Sequence, residues 1–362
     1  MITSNTILDT QGISLRNIDG MVAFDLLDSS LNVIGSPPSI AATSVDMDTS
    51  STTTRKISGV QLTSNVMNDV DPLNDLLRPK IVLGDGSEWP LGVFVFTDQI
   101  DNIRLGIYPV DLSLSDQTGF LDINTRYTFS RPTGASIVGA ITSILDTCQI
   151  SQGINGRRLP TDTTQLASAQ TWAQGTSYLK ILTDLCALGG YYPPYFDNDG
   201  TFVVRAPVDP FNADVDLVYD LYGGKIIAET VQYDSGILSA PNAYVVIDTS
   251  PKSAPISAIA YVAGYLPWSV ENRGGRVIPV QVTQQGLASV QQAQSIANAS
   301  AASATIGFQS VTFQALADPR HDTFQLVLFN GSIMREVSWS LPLTWGKPMT
   351  HKLVQGGFTN AG

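Results

Sequence analysis

The two histidines of this chain, His321 and His351, are the groups best suited to acid–base chemistry near neutral pH. In the segment DPRHDTF, Asp322 follows His321 directly and could orient its ring as a general base. Such a base needs a nucleophile to act on, and the sequence contains no GxSxG, HExxH, CxxC, P-loop or GxGxxG pattern. We therefore interpret both histidines as structural residues.

Carboxylate clusters suggest a different chemistry, the binding of a cation. Asp197 and Asp199, just before Gly200, resemble the start of a calcium loop, but an EF-hand also needs a later glutamate and none is near. We favour a β-hairpin turn for Asn198-Asp199-Gly200. A second acidic cluster is interrupted by apolar residues, and we interpret it as solvated turns; it comprises Asp209, Asp214, Asp216 and Asp220.

Carbohydrate and redox chemistry also lack a defined site. A glycosidase needs two carboxylates about 5 to 10 Å apart, and nothing in the sequence selects such a pair. Cys148 and Cys186 are too few for a disulfide framework or a zinc site, and their apolar helix faces favour buried thiols. The tryptophans are spread over the chain, which favours core or interface anchors over a sugar-binding groove: Trp89, Trp172, Trp268, Trp339 and Trp345. The sequence thus predicts no catalytic, cofactor-binding or metal-ligating residues.

The charge of the chain argues against a nucleic-acid-binding protein. Affinity for a phosphate backbone comes mainly from Lys and Arg, whereas this chain has a net charge of −12 and no clustered basic patch. An acidic surface is still compatible with a protein that lets DNA slide past without binding it.

Composition indicates a β-rich protein of several domains. A length of 362 residues predicts two to four domains, and 43% hydrophobic residues are enough to form their cores. Of the 32 acidic residues, four are glutamates and 28 are aspartates, and Asp favours turns and caps over helix interiors. The N-terminus lacks a secretion signal and no stretch is long enough for a membrane span. We expect the chain to be made and folded in the cytoplasm.

Strand patterns dominate the first 120 residues. RKISGVQL, residues 55–62, places Ile57 and Val60 inward, with Gly59 where a bulge could fall. Gly84-Asp85-Gly86 predicts a hairpin turn, because glycine tolerates the positive φ angles required. Loops are predicted at SPPS and at DTSSTTT, residues 48–54.

Helical periodicity begins near residue 130. Thr133 is a candidate N-cap for a helix whose apolar face runs from Ile137 to Cys148. A second helix is predicted for residues 177–188, ended by Gly189-Gly190, and a hairpin follows it. A third helix is predicted from Leu287 to Ala301.

The layout of the C-terminal run, residues 318–354, recurs near the N-terminus in residues 78–98. Each has a lead-in with Pro and Arg, an alternating apolar strand, a tight turn with glycine and a second strand rich in β-branched and aromatic residues. We predict that residues 78–98 and 318–341 superpose together with the surrounding strands, with Gly84-Asp85-Gly86 and Asn330-Gly331 as equivalent hairpin tips. This repeat predicts a duplicated barrel scaffold and a structural role.

Four segments, taken in their order along the chain, resemble the tail hub proteins of tailed bacteriophages. This family includes baseplate hubs and the N-terminal hub regions of tail-associated proteins. The four segments are RKISGVQL with RPKIVLGDGSEWPLGVFVFTD; TWAQGTSYLKILTDLCALGGYYPPYFDNDGTFVVRAP; QQAQSIANAS; and REVSWSLPLTWGKPMTHKL. The chain ends soon after the second predicted barrel, so activities of appended peptidase, lysozyme or fibre domains are not carried over to it.

The resemblance implies a β-rich α+β fold of two tube-like antiparallel β-barrel domains with inserted α+β lobes. We predict a first barrel at 1–119, a lobe at 120–225, a second barrel at 226–250 and 306–354, a helix-containing lobe at 251–305 and a flexible tail at 355–362. Three copies would form a ring with six barrels, joining a hexameric tail tube to a three-fold tip.

For function, the resemblance implies a non-enzymatic structural hub at the virion tail tip, forming part of the DNA channel. Its implied partners are two further copies, distal tail or tail tube proteins, the C-terminus of the tape-measure protein, and tip or fibre proteins. A receptor- or carbohydrate-binding tail protein and a cell-wall hydrolase are the alternatives. A lumen that repels phosphate would hold more Asp than Lys and Arg.

Overall fold

The computed structural model of the chain describes most of its residues. The described ranges are 20–37, 40–67, 69–101, 108–150, 156–161, 163–206, 208, 214–221, 225–235, 240–249, 256–262, 264, 268–284, 287, 289–303, 309–344 and 346–355. Part of the predicted SPPS loop, Asp209, Trp345 and residues 356–362 of the predicted tail lie outside these ranges.

Strands outnumber helices in the described structure, and the predicted β-rich α+β class is confirmed. The N-terminal part contains β1 Gly20–Leu27, β2 Val33–Gly35, β3 Ser44–Asp48, β4 Arg55–Thr63, the single-turn helix α1 Ser64–Met67, β5 Leu76–Leu83, β6 Glu88–Pro90, β7 Phe94–Asp101 and β8 Pro109–Asp116. The middle part contains a 3₁₀ turn Gln117–Phe120, β9 Phe129–Arg131, α2 Ile137–Thr147, β10 Arg157–Arg158, β11 Gln170–Trp172, α3 Tyr178–Gly189, β12 Tyr195–Phe196 and β13 Phe202–Val203. The C-terminal part contains β14 Leu217–Tyr219, β15 Ile226–Ser235, β16 Ala243–Asp248, β17 Ser257–Tyr261, β18 Pro279–Gln284, α4 Val290–Ser303, β19 Gln309–Ala315, β20 Leu326–Phe329, β21 Ser332–Pro342 and β22 Met349–Gln355.

The largest sheet joins strands from both ends of the chain. Its order is β15-β19-β22-β21-β3-β4-β8-β7-β5-β1-β2, with β6, β14 and β20 paired beside this path. The described strands of the two predicted barrels therefore share one open sheet. They are joined because the 11-residue strand β21 pairs with β20 along its first half and with β3 along its second half.

The same strand order occurs twice in this sheet. In the first module, the path β3-β4-β8-β7-β5 takes its strands in chain order first, second, fifth, fourth and third. In the second module, the path β15-β19-β22-β21, with β20 paired to β21, takes its strands in the same order. This repeated connectivity supports the duplication that the sequence predicts.

The register of the two modules also matches. β7 pairs with β8 with a bulge at Thr97, and β21 pairs with β22 with a bulge at Val337. When the two bulges are aligned, Leu76 opposite Val95 corresponds to Leu326 opposite Arg335. The turn at 84–86 joins β5 to β6, whereas the turn at 330–331 joins β20 to β21, and the equivalence of these two hairpin tips stays a prediction. Superposition of the modules in an experimental structure stays a prediction.

Capping residues define the ends of the helices in the middle part. The α2 helix begins after Ser136, whose hydroxyl accepts the Gly139 N–H at 3.1 Å, so the N-cap is Ser136 and the prediction of Thr133 was wrong. The α3 helix begins after Ser177 and ends at Gly190, which has a φ of 72°. Apolar faces of α2 and α3 pack together in a core of their own.

The helix α4 packs on the small sheet β17-β16-β18 and forms another separate core. The strand β14 falls within the range predicted for the first lobe, yet it pairs with β20 of the second module. The predicted domain ranges themselves stay a prediction. None of the described helices has both the length and the apolar composition that a membrane crossing needs.

Candidate functional site

One face of the large sheet is lined by short polar side chains, and most of them are accessible to solvent, whereas Ser115 at one end of the row is buried. Along a row that crosses six strands, each residue pairs with the next: Ser115, Lys56, Asp46, Ser340, Thr350 and Gln314. A neighbouring row runs through Asp48, Ser338, Lys352, Thr312 and Gln232. We call the accessible residues that pairing places on this side of β15, β19, β22, β21, β3, β4, β8 and β7 the polar sheet face.

The opposite side of the same strands forms the core, because successive side chains of a strand point to opposite faces. Ile57, Val45 and Leu341 are paired neighbours, and all three belong to the main hydrophobic cluster. That cluster includes residues of both modules. The polar sheet face is thus held on one continuous support that spans the two modules.

Hydrogen bonds between strands fix the carboxylates of the polar sheet face. Asp46 accepts hydrogen bonds from Ser44 at 3.0 Å and Ser58 at 2.6 Å, and also from Ser340 of the other module. Asp111 accepts one from the Gln61 amide at 2.6 Å.

The polar sheet face has an excess of negative charge. Its lysines are Lys56 and Lys352, whereas its aspartates are Asp46, Asp48, Asp98, Asp111 and Asp234. The remaining positions are mainly Ser, Thr and Gln. Such a surface repels phosphate, and its described residues include no aromatic ring for stacking on bases.

The two histidines meet in the core of the second module, on the opposite side of the sheet from the polar sheet face. His321 Nδ1 lies 2.6 Å from Glu336 Oε2, and His351 Nδ1 lies 2.8 Å from Glu336 Oε1. The Tyr219 hydroxyl lies 2.7 Å from His321 Nε2. His321 and His351 are buried, and Glu336 between them is also buried.

Burial and neighbouring charges shift the pKa values of the three residues of this cluster in different directions. Burial disfavours the charged form of His321, but the Glu336 carboxylate outweighs burial and raises the pKa of His321. Burial would raise the pKa of Glu336, and the two histidines outweigh it and lower that pKa. Burial and the charge on His321 lower the pKa of His351. These shifts favour the charged forms of His321 and Glu336 and the neutral form of His351.

This arrangement differs from the sequence hypothesis in the partner of His321. Asp322 forms an ion pair with Arg55, and Glu336 takes the place that the hypothesis gave to Asp322. The ligand atoms of His321, Glu336 and His351 lie within 4.8 Å of one another, close enough to hold a cation, and the buried His351 Nε2 has no hydrogen-bond partner among the described residues. The signal that sequence reasoning missed is a rare glutamate inside the apolar strand SIMREVSWSLP.

Arg55 connects three parts of the chain through its side chain. Its guanidinium is fully buried and donates to Asn198, Asp322 and, at 3.0 Å, the Thr323 hydroxyl. It also lies over the Trp339 ring, 5.7 Å from the ring centre. A buried charge needs such partners, so Arg55 holds the first module, the middle lobe and the second module together.

The turn Asn198-Asp199-Gly200 is a hairpin between β12 and β13, as the sequence predicts. Its side chains serve contacts within the protein: Asp197 accepts the Asp199 and Thr201 N–H groups at 3.0 and 2.8 Å. The Gly200 carbonyl accepts a hydrogen bond from Gln117 at 3.0 Å. The turn therefore docks the middle lobe on the first module.

The remaining candidate residues that the structure describes lie on several different elements of the fold. In the predicted acidic cluster, Asp216 accepts the Leu326 N–H at 2.7 Å, which places it at the β20 strand. Cys186 is buried and Cys148 is half-buried at the end of α2. Trp172, Trp268 and Trp339 are buried in three different clusters, as expected of core anchors.

Comparisons with known proteins rest on structure alone. No protein-family model matches the sequence, and no curated protein sequence matches it. Among solved structures, the 43 kDa tail protein of prophage MuSo2 from Shewanella oneidensis matches with a TM-score of 0.63 and 12% identity, over 93% of this chain and 98% of that chain. A tail protein from Neisseria meningitidis MC58 matches with a TM-score of 0.63 and 12% identity, over 92% of this chain and 97% of that chain.

A third structure, the prophage tail protein gp18 from Listeria monocytogenes EGD-e, matches with a TM-score of 0.53 and 10% identity, over 93% of this chain and 95% of that chain. At these identities the likeness establishes the fold. The chain has the fold of phage and prophage tail proteins, which confirms at the level of the fold the resemblance identified from its sequence.

Proposed function

We propose that the chain is the structural hub of a phage tail tip. Three copies form a ring of six modules that joins a hexameric tail tube to a three-fold tip, and the polar sheet face lines the DNA channel. The observation that carries the proposal is the repeated strand order of the two modules. Two similar modules in each of three chains present six similar positions to a six-fold partner.

The polar sheet face supports the channel part of this proposal. A channel wall for DNA must not trap the duplex, which carries one negative charge per roughly 1.7 Å of its axis. Short hydroxyl and amide side chains with an excess of aspartate meet that need. The partners on this proposal are distal tail or tail tube proteins, the tape-measure protein's C-terminus, and tip or fibre proteins, all in the virion.

We also propose that the chain has no catalytic activity of its own. His321 and His351 are buried, and both are engaged by Glu336. A general base must reach the proton that it abstracts, and these two rings face the interior of the second module.

The mass of the purified protein in solution tests the hub proposal. We expect light scattering to give three times the 38.8 kDa of the chain, and we expect images of the particle to place the protein at the tail tip. A protein that stays monomeric at micromolar concentration, and that is missing from the tail tip, would contradict the proposal. Cell-wall zymography should show no clearing.

A further inference from the structure

The buried cluster of His321, Glu336 and His351 has the composition of a metal site. Two imidazoles and one carboxylate are a ligand set that zinc uses in proteins. The three side chains are at most 1% exposed, and their ligand atoms lie within 4.8 Å of one another. They come from the loop before β20, from β21 and from β22. The chain has two histidines, and the fold brings both of them to one carboxylate.

The spacing within the cluster is close to that of a coordination shell. Zinc lies about 2.0 to 2.2 Å from its nitrogen and oxygen ligands, so two ligands of a tetrahedral ion are roughly 3.3 Å apart. The Glu336 oxygens lie 2.6 and 2.8 Å from the Nδ1 atoms of His321 and His351. Shifts on the order of 1 Å in the three side chains bring the ligand atoms to the tetrahedral spacing.

Tyr219 orients His321 as a ligand. Its hydroxyl oxygen lies 2.7 Å from His321 Nε2 and can accept the proton of that nitrogen in a hydrogen bond. A histidine that ligates a metal through one ring nitrogen almost always donates a hydrogen bond from the other. The contact with Tyr219 therefore leaves His321 Nδ1, which faces Glu336, as the ligand nitrogen.

The surroundings of His351 also allow its Nδ1 to bind an ion. In a neutral imidazole, the hydrogen bond made by one nitrogen determines whether the other nitrogen carries the proton. His351 Nε2 is buried and has no hydrogen-bond partner among the described residues. No donor at Nε2 therefore holds the proton at Nδ1. Phe313 stacks on the ring, with 4.9 Å between ring centres, and fixes its plane.

We propose that His321 Nδ1, His351 Nδ1 and the Glu336 carboxylate bind one zinc ion. The ion replaces the protons that the two Nδ1 atoms share with the carboxylate, and each ring then carries its proton on Nε2. The pKa directions of these three residues describe the metal-free protein, in which protons hold the cluster together.

The ligand set and its burial favour zinc over other common ions. Calcium and magnesium prefer oxygen ligands, whereas imidazole suits zinc. Non-haem iron of oxygenases uses two histidines and one carboxylate as well, but it needs open positions for its substrates. The three side chains here are buried in the second module, which fits an ion with a structural role.

A zinc ion at this place stabilises the region where three parts of the chain meet. The carbonyl of His321 accepts a hydrogen bond from the Asn198 side chain of the middle lobe at 2.8 Å. Asp322, the next residue, forms an ion pair with Arg55 of the first module. Zinc ties the loop that carries both contacts to β21 and β22. This proposal stands on side-chain geometry and does not depend on the proposed hub.

Metal analysis of the whole chain tests the site. Protein that is unfolded in urea with EDTA, refolded with ZnCl2 and passed over a chelating resin should retain one zinc ion per chain. Zinc should also raise the Tm above that of the EDTA-treated protein, whereas CaCl2 or MgCl2 should do neither. Protein that retains no zinc, or retains calcium equally well, would overturn the proposal. A monomer that retains zinc overturns the hub alone, and a trimer without zinc overturns the metal site alone.

Matched variants locate the ion. Glu336→Gln and His351→Gln should each lose the bound zinc. Glu88→Gln should retain it, because Glu88 is half exposed and pairs with Lys80. The double variant Cys148→Ser with Cys186→Ser should retain it too, since burial raises the pKa of these thiols to about 11 and about 12 and zinc binds the thiolate. Loss of zinc from either control would overturn the assignment of the ligands.

NMR of the wild-type protein avoids any variant that fails to fold. Because the chain has two histidines, the imidazole nitrogen spectrum contains signals from these two rings alone. Zinc added during refolding should shift both Nδ1 signals and leave a proton on each Nε2. Nδ1 signals that do not differ between the zinc-refolded and the EDTA-treated protein, or binding through Nε2, would contradict the proposed site.

Discussion

Glu336 is the side chain on which the buried histidine cluster depends. Its two carboxylate oxygens each bind one histidine Nδ1, at 2.6 and 2.8 Å. Removing one partner of a buried ion pair leaves an uncompensated charge, which costs more than the pair contributes. Substitution of Glu336 therefore tests how much this cluster stabilises the second module.

We predict that Glu336→Gln destabilises the protein by about 3 to 5 kcal/mol, measured as the free energy of unfolding in urea. In NMR titration of the metal-free protein, the pKa of His321 should fall relative to the wild type, because burial lowers it and Asp318 is then the remaining carboxylate that raises it. Glu88→Gln is the control: Glu88 is half exposed and pairs with Lys80, so its loss should cost less than about 1 kcal/mol.

The effect of this variant should depend on pH in a defined direction. The pKa of His321 is raised above 6.5, so its contribution to stability is complete below pH 6.5 and is lost as pH rises through the raised value. The pKa of Glu336 is lowered below 4.5, so its contribution is complete above pH 4.5 and is lost as pH falls through the lowered value. The difference in stability between wild type and Glu336→Gln should be largest from pH 4.5 to 6.5. A difference that does not vary with pH would contradict the assigned charges.

Sequence reasoning identified the two histidines as candidates but not their shared partner. Asp322 is adjacent to His321 in sequence, whereas Glu336 is 15 residues away from each histidine. The contacts of the two histidines with Glu336 depend on the pairing of β21 with β22 and on the loop before β20, and both are features of the tertiary structure. Glutamate is usually exposed, so the burial of Glu336 could not be predicted from its residue type.

At the scale of elements, the β12–β13 turn determines how the middle lobe docks on the first module. Gly200 has a φ of 79°, and a Cβ at this position would lie 2.7 Å from Val93 Cγ2 and 2.8 Å from Gln117 Nε2. Both atoms belong to the first module or to the 3₁₀ turn that follows it. Glycine is therefore needed here for two reasons, its backbone conformation and the close approach of the lobe.

We predict that Gly200→Ala destabilises the protein more than Gly190→Ala does. Gly190 ends α3 with a similar φ of 72°, and a Cβ there would meet nothing within 4 Å. Positive φ should cost each variant about 1 to 2 kcal/mol, and overpacking should cost Gly200→Ala about 1 to 3 kcal/mol more. Urea unfolding of the two variants measures the difference. Equal stability would mean that the turn does not dock closely on the first module.

Elements with local signals were predicted well from sequence. The α3 helix has a serine cap and a terminal glycine, and its observed start and end agree with the prediction within one residue. Gly59 lies in the β4 bulge, as expected from RKISGVQL. Strand order was not predictable in the same way, because the pairing of β3 with β21 joins residues almost 300 positions apart and leaves no local pattern.

At the scale of the whole molecule, the repeated connectivity explains both the large sheet and its two unlike faces. Each module contributes strands that alternate between core and polar residues, and the pairing of β3 with β21 makes the two polar surfaces continuous. The sequence predicted a duplication from two segments. The rest of the repeat was hidden because the modules share strand order and bulge position but little residue identity: the bulge residue is Thr97 in one module and Val337 in the other.

The last prediction concerns the charge of the polar sheet face. We expect the purified protein not to retain duplex DNA at physiological salt, because its face carries five aspartates and two lysines. Asp48→Lys with Asp111→Lys should create weak DNA binding in a mobility assay, and this binding should fall steeply as salt rises.

The matched control changes two aspartates away from this face. Asp71 and Asp85 lie in exposed turns, so Asp71→Lys with Asp85→Lys changes the net charge from −12 to −8, as the first double variant does. If total charge governed DNA binding, both double variants would bind equally; if the face lines the channel and meets DNA at short range, only the first should bind. Binding by the wild type, or equal binding by the two variants, would contradict the assignment of this face to the channel wall.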